Sequence, residues 1–125
     1  MRPVAKQEVR RPSAERRDRT ETTAMRRARK RIDAVDRRIV GLLNQRTRLG
    51  LEAGAAKAAD GRAVRDPERE REVLLRVAAA NEGPLPQADL LALYRRLMTA
   101  TRRLETEARR ADASDGRPGR GASSE

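Results

Sequence analysis

The chain has 125 residues, 39% of them charged and 37% hydrophobic, enough for one domain with a thin core and no more. It contains no cysteine, histidine, tryptophan or phenylalanine, which excludes disulfides, thiolate chemistry, imidazole acid–base catalysis and the usual zinc sites. The net charge of +11 is carried almost wholly by arginine, the lysines being Lys6, Lys30 and Lys57. It points to an anionic partner (nucleic acid, an anionic membrane or a small anion) or to a solvated surface decorated with arginine.

Residues 1–24, MRPVAKQEVRRPSAERRDRTETTA, are polar, carry two prolines and show no periodicity, so a disordered basic tail is expected. Met25 directly after it is a candidate start of translation. The basic start has no apolar stretch behind it, as a secretory signal would need, and no apolar run approaches the roughly 18 residues of a membrane span. A cytoplasmic location and no membrane partner are the expectation.

A first helix is predicted from about Thr22 to Ala59. Ile32, Val35, Ile39, Leu42, Arg46, Leu49, Ala53 and Ala56 recur three and four apart, and the Asp60-Gly61 turn signal ends the run. A second opens at Asp66, a good N-cap, with Pro67 at the first helical position, and runs to about Ala80. NEGPLP breaks the chain. A third helix is predicted from about Pro86 to Arg110, with Leu90, Leu93, Tyr94, Leu97, Met98, Thr101, Leu104 and Glu105 on one face. Residues 111–125 read as a disordered low-complexity tail. The domain is therefore 25–110, all-α, with no convincing strand.

The first helix is too long for such a domain. At 1.5 Å per residue it spans roughly 50 Å, whereas a compact chain of about 90 residues has a radius of gyration near 12 Å. Two shorter helices cannot cover that seam, so an intertwined homodimer is expected.

All three helices carry polar groups on the faces that should be apolar. Glu70 lines up with Val73, Leu74, Val77 and Ala78, with Arg69 beside it. Arg46 occupies a seam position, and Lys57, eleven residues on, returns to within roughly 20° of it around the axis. Arg29 lies about 100° away from Arg46 by the same arithmetic, better placed for a site formed with another chain. Thr101 and Glu105 repeat the exception in the third helix. A buried unpaired guanidinium costs several kcal/mol, so a cationic cavity with a few carboxylates, shaped for a small anion, accounts for the set better than separate stripe-edge residues reaching for water.

The segments RKRIDAVDRRIVGLLNQRTRL, AGAAKA, RAVRDPEREREVL and YRRLMTATRRLE, in this order and at these separations, resemble the all-helical chorismate mutases of the AroQ type. The resemblance covers about residues 26–106, and its most specific piece is Val64-Arg65-Asp66-x-x-Arg69-Glu70. It implies an intertwined three-helix dimer with two active sites and a reaction from chorismate to prephenate, with no cofactor and no metal. By resemblance, Arg29 is donated across the interface to a substrate carboxylate, and Arg46 holds the other carboxylate from within the chain. Lys57 reaches a carboxylate and the ether oxygen, Asp66 and Glu70 receive the ring hydroxyl, Arg69 supports the substrate, and Thr101 stands where the family often has Ser. Many members carry Gln where this chain has Glu105. An ionised carboxylate cannot donate a hydrogen bond to the ether oxygen, so Glu105 is expected to work protonated, with activity falling as pH rises.

The same scaffold also serves isochorismate-pyruvate lyases and mutases of an amino analogue of chorismate. A family member that needs an activating partner enzyme is a third possibility. A reading from another class is a basic helical dimer that binds nucleic acid through the MRRARKR run. Only Tyr94 could stack on a base, no recognised binding motif is present, and the reading needs its arginines on outer faces. With Arg46 in the seam, no nucleic-acid partner is expected.

Overall fold

In the computed structural model, residues 20–115 are described. Among them are three α-helices and no strand: α1 (Thr23–Ala59), α2 (Pro67–Ala80) and α3 (Gln87–Ser114). The all-helical class expected from periodicity is the one observed. The residues expected to form tails lie largely outside the described range. None of the three helices is long and apolar enough to cross a membrane. The chain divides into two units, one ending at Leu43 and one beginning at Asn44, and α1 contributes residues to both.

In the first unit, α1 starts where a hydroxyl can cap it. Thr22 Oγ1 accepts the Met25 amide at 3.1 Å and the Thr22 carbonyl accepts the Arg26 amide at 3.0 Å, satisfying amides that the first turn leaves without partners. Glu21 precedes the cap, and its carboxylate pairs with Arg29 at 2.8 Å. From there the seam residues Ile32, Val35, Ile39 and Leu42 are 45–60% exposed within a single chain.

In the second unit, α1 ends in a Schellman turn. Gly61, at φ +73, donates to the Ala58 carbonyl at 3.0 Å, and Arg62 donates to the Lys57 carbonyl at 2.8 Å. Glycine takes this left-handed conformation without the Cβ penalty other residues meet. Asp66 then caps α2, accepting the Arg69 amide at 3.1 Å, with Pro67 at the first helical position as expected. Asn81 closes the α2–α3 connection, accepting from the Gly83 amide at 2.9 Å and donating to the Leu85 carbonyl at 3.1 Å.

α2 packs on α3, and the carboxyl-terminal part of α1 meets α3 at two glycines. A Cβ on Gly50 would stand 2.9 Å from Thr101 Cγ2, and one on Gly54 would stand 2.7 Å from Glu105 Cδ. Glycine there lets the helices approach closely enough to enclose Thr101 and Glu105. With Met98 and Gly54, these are the buried residues among those described.

Two details differ from the sequence-based expectation. α3 continues to Ser114, four residues beyond Arg110, because Ala108, Arg109, Arg110, Ala111 and Ala113 are good helix formers and the first breaker in the sequence is Gly116. Leu93 and Leu104, placed on the inner face of α3, are 60% and 40% exposed in the single chain. They lie at the margins of a stripe whose centre is Tyr94, Met98, Thr101 and Glu105.

Candidate active site

The second unit holds a cleft of about 310 Å³, the lower end of the range that takes small ligands. Seven of the eight residues singled out from the sequence line it: Arg46, Lys57, Asp66, Arg69, Glu70, Thr101 and Glu105. They come from all three helices and from the α1–α2 connection, so the polar exceptions to the apolar stripes converge on one space. The eighth, Arg29, belongs to the first unit, where Glu21 holds it.

Arg46 is half-buried on α1, its guanidinium carbon 5.6 Å from the centroid of the Tyr94 ring. A cation over a ring face at this range is attracted by the ring quadrupole. Lys57 sits in the last turn of α1, and the Schellman turn folds the following loop back over it, so that Nζ donates to the Val64 carbonyl at 2.9 Å. The same ammonium stands 3.5 Å from Glu105 Oε1.

Glu105 is 8% exposed, and no group donates a hydrogen bond to its buried Oε1. Gly54 gives it this position, since any side chain there would collide with the carboxylate. Thr101, one turn earlier on α3, turns its hydroxyl to its own helix and donates to the Leu97 carbonyl at 3.0 Å. Its methyl group rests against Gly50. The hydroxyl must leave Leu97 to donate to a ligand, an exchange of one bond for another.

Asp66 combines two tasks, capping α2 and lining the cleft. Arg69 and Glu70 then diverge, being about 100° apart around the helix. Arg69 borders the cleft as an exposed residue whose guanidinium donates to Glu72 at 2.7 Å. That bond, with the charge of Arg76 adding to it, holds the Glu72 carboxyl below its ordinary range. Glu70 turns inward and is met by Arg102 of α3, whose Nη1 donates to Glu70 Oε2. The two side chains are 22% and 25% exposed.

Arg102 was not among the residues singled out from the sequence. It is separated from Glu70 by thirty-two positions, yet it lies four residues after Met98 and three before Glu105, at the edge of the inner stripe of α3. That spacing was the available signal in the sequence, and the structure bears it out, with Arg103 exposed and Arg102 half-buried. With Arg102 counted, four cations and three carboxylates line the cleft. Arg46, Lys57 and Arg102 thus serve an inner surface, where a nucleic-acid backbone would require outward-facing cations.

Residues 28–106 match the family model described as chorismate mutase type II. A bifunctional chorismate mutase/prephenate dehydratase of Aquifex aeolicus is 36% identical over 81 residues, covering 62% of this chain and 22% of that protein. One from Neisseria gonorrhoeae is 40% identical over 68 residues, 54% of this chain and 18% of that protein. The chain therefore spans about a fifth of the length of these relatives. A solved chorismate mutase (form II) of Thermus thermophilus superposes with a TM-score of 0.64 at 35% identity, covering 66% of this chain and 94% of that one.

Proposed function

The chain belongs to the chorismate mutase type II family, and from that premise we propose that its cleft rearranges chorismate to prephenate. The observation that carries the proposal is the meeting of Arg46, Lys57, Asp66, Glu70, Thr101 and Glu105 around one small cleft. They are six of the eight residues that the resemblance assigned to a dianionic substrate with a ring hydroxyl, Arg69 standing at the mouth of the cleft and Arg29 in the other unit.

The reaction breaks one carbon–oxygen bond and forms one carbon–carbon bond in a single electronic reorganisation, so it requires no nucleophile and no obligatory proton transfer. That suits a chain without histidine or cysteine. The protein has two tasks: to hold the flexible enolpyruvyl group over the ring, and to place positive charge where the ether oxygen gains electron density. The first is an entropic contribution from clamping both carboxylates. Arg46 holds one carboxylate, its guanidinium steadied over Tyr94. Arg29 of the partner subunit holds the other.

For the second task, Lys57 is pre-aimed by the Val64 carbonyl and reaches the ether oxygen. Glu105, in its protonated form, donates the second hydrogen bond to the same atom. One donor aimed at a developing oxyanion contributes about 3 kcal/mol, against a total of at least about 8 kcal/mol expected of an enzyme. The remainder falls to the clamped conformer. Asp66 and Glu70 accept from the ring hydroxyl and fix which face of the ring meets the side chain. Arg69, at the mouth, completes the cationic surround.

The homodimer is part of the same proposal. Ile32, Val35, Ile39, Leu42 and Leu49 form one stripe along α1, each at least 45% exposed in one chain. An apolar stripe of this length is the usual mark of an interface, and pairing would supply Arg29 to the neighbouring cleft.

The test is consumption of chorismate by the purified chain, followed by absorbance, with chromatography of the product. Prephenate is expected. Release of pyruvate would transfer the assignment to a lyase, and no turnover would remove the reading as a self-sufficient mutase in favour of a partner-dependent or analogue-specific member of the family. Sedimentation at micromolar concentration should give a dimer; monomer alone would remove both the interface and the donated role of Arg29.

A further inference from the structure

Arg102, the ion-pair partner of Glu70, has no place in the catalytic scheme above, although it lies in the wall of the cleft. Both side chains are about three-quarters buried. A buried pair of this kind is worth little to stability over an apolar one, and packing α2 on α3 would be served as well by two aliphatic side chains. What the pair changes is the electrostatic character of the position where the ring substituent is read.

Without Arg102, Glu70 would be a buried carboxylate beside a second one, Asp66, at the cleft wall. Two carboxylates at that position attract a cationic group placed directly against them. An ammonium on the ring would gain more from them than a hydroxyl, because a charge-assisted hydrogen bond is the stronger one. Arg102 takes up Oε2 of Glu70 and brings a fixed positive charge to the same place. Its second nitrogen is 3.4 Å from Thr99 Oγ1, which holds the guanidinium on α3. The remaining acceptor capacity of Glu70 suits a neutral donor, whereas an ammonium ion there faces a like charge within the same pair.

We propose that Arg102 is a specificity-determining residue, which sets the cleft to accept a hydroxyl-bearing ring and to reject the same ring carrying an ammonium group. It acts through Glu70 as a positioning residue and carries no part of the bond rearrangement. The inference rests on the chorismate reading and deepens it. The discrimination comes from a repulsive element built into the wall as much as from an attractive one.

The test uses the full chain, with chorismate as substrate and 4-amino-4-deoxychorismate as competitor at neutral pH, where its amine is protonated. The inhibition constant of the amine is measured whether or not it turns over. In Arg102→Gln, which keeps a donor for Glu70 and removes the charge, the amine should bind relative to chorismate at least about tenfold better than in the wild type, about 1.4 kcal/mol of lost discrimination. Arg102→Lys, which restores the charge, should return the wild-type ratio.

A ratio unchanged in Arg102→Gln, or the same change in Arg102→Lys as in Arg102→Gln, overturns the proposal and reduces Arg102 to a structural contact. An equal loss of affinity for both ligands overturns it in the same way. If the wild type consumes no chorismate, the mutase reading itself falls and this inference with it. That result is distinguishable, because the other failures all occur in an enzyme that makes prephenate. Helicity of each variant, compared with the wild type, separates a change of selectivity from a failure to fold.

Discussion

Gly54→Ala isolates the requirement for close approach between α1 and α3. A Cβ built on Gly54 lies 2.7 Å from Glu105 Cδ, 2.8 Å from Cγ and 2.9 Å from Oε2. An ordinary carbon–carbon contact is about 3.5 Å, so the Glu105 carboxylate must retreat by roughly 0.8 Å. Overpacking of this kind costs about 1–3 kcal/mol, and alanine in a helix interior recovers about 1 kcal/mol relative to glycine. The expected net loss of stability is therefore about 0–2 kcal/mol, read as the urea midpoint at unchanged slope. Activity should suffer far more, because a displacement near 1 Å of a group aimed at the reacting atoms costs about a hundredfold in rate. The assay is kcat/KM for chorismate alongside the urea titration. A variant within threefold of wild-type kcat/KM would show that the carboxylate position does not matter and would remove Glu105 from the catalytic set.

The remaining predictions are independent of that one. Arg46→Ala should abolish measurable turnover, whereas Arg71→Ala, an exposed position on α2, should be nearly silent; equal effects would mean that the faces are wrongly assigned. If Glu105 acts as a hydrogen-bond donor to the ether oxygen, Glu105→Gln keeps a donor amide and should retain kcat/KM for chorismate, while Glu105→Ala should lose it by about a hundredfold. Equal losses in the two variants would remove the donor role. Asp66→Asn keeps an oxygen to accept the Arg69 amide and should hold stability within a few tenths of a kcal/mol, while Asp66→Ala should lose about 1 kcal/mol in thermal or urea unfolding. Gly50→Ala should destabilise by forcing Thr101 Cγ2 from 2.9 Å, and Thr101→Ser in the same chain should restore the loss. If the double variant is no more stable than the single one, the methyl contact is not the cause.

Helix ends and inward faces were readable from the sequence because both depend on neighbours within a turn or two. Asp66 and Pro67 mark the start of α2 through one capping bond and one fixed torsion. Asp60-Gly61 marks the end of α1 through a conformation that glycine adopts without strain. A period of three and four assigns Arg46, Lys57, Glu70, Thr101 and Glu105 to inner faces, since the identity of a face depends on rotation about a single axis. At Leu93 and Leu104, as along α1, periodicity marks the stripe and leaves its width to the neighbour that covers it.

Tertiary structure alone decided which inner faces meet, and at what distance. Arg102 and Glu70 are thirty-two residues apart and become partners when α2 packs on α3. Gly50 and Gly54 read in sequence as ordinary helix residues, and only the crossing of α1 against α3 makes them the places where Thr101 and Glu105 are enclosed. Lys57 is aimed by a carbonyl seven residues on, through a turn whose path no periodicity describes. A one-dimensional pattern records which residues seek burial, because that preference belongs to each side chain. The pairing of charges and the closeness of backbones belong to two helices at once, and they exist only after the chain has folded.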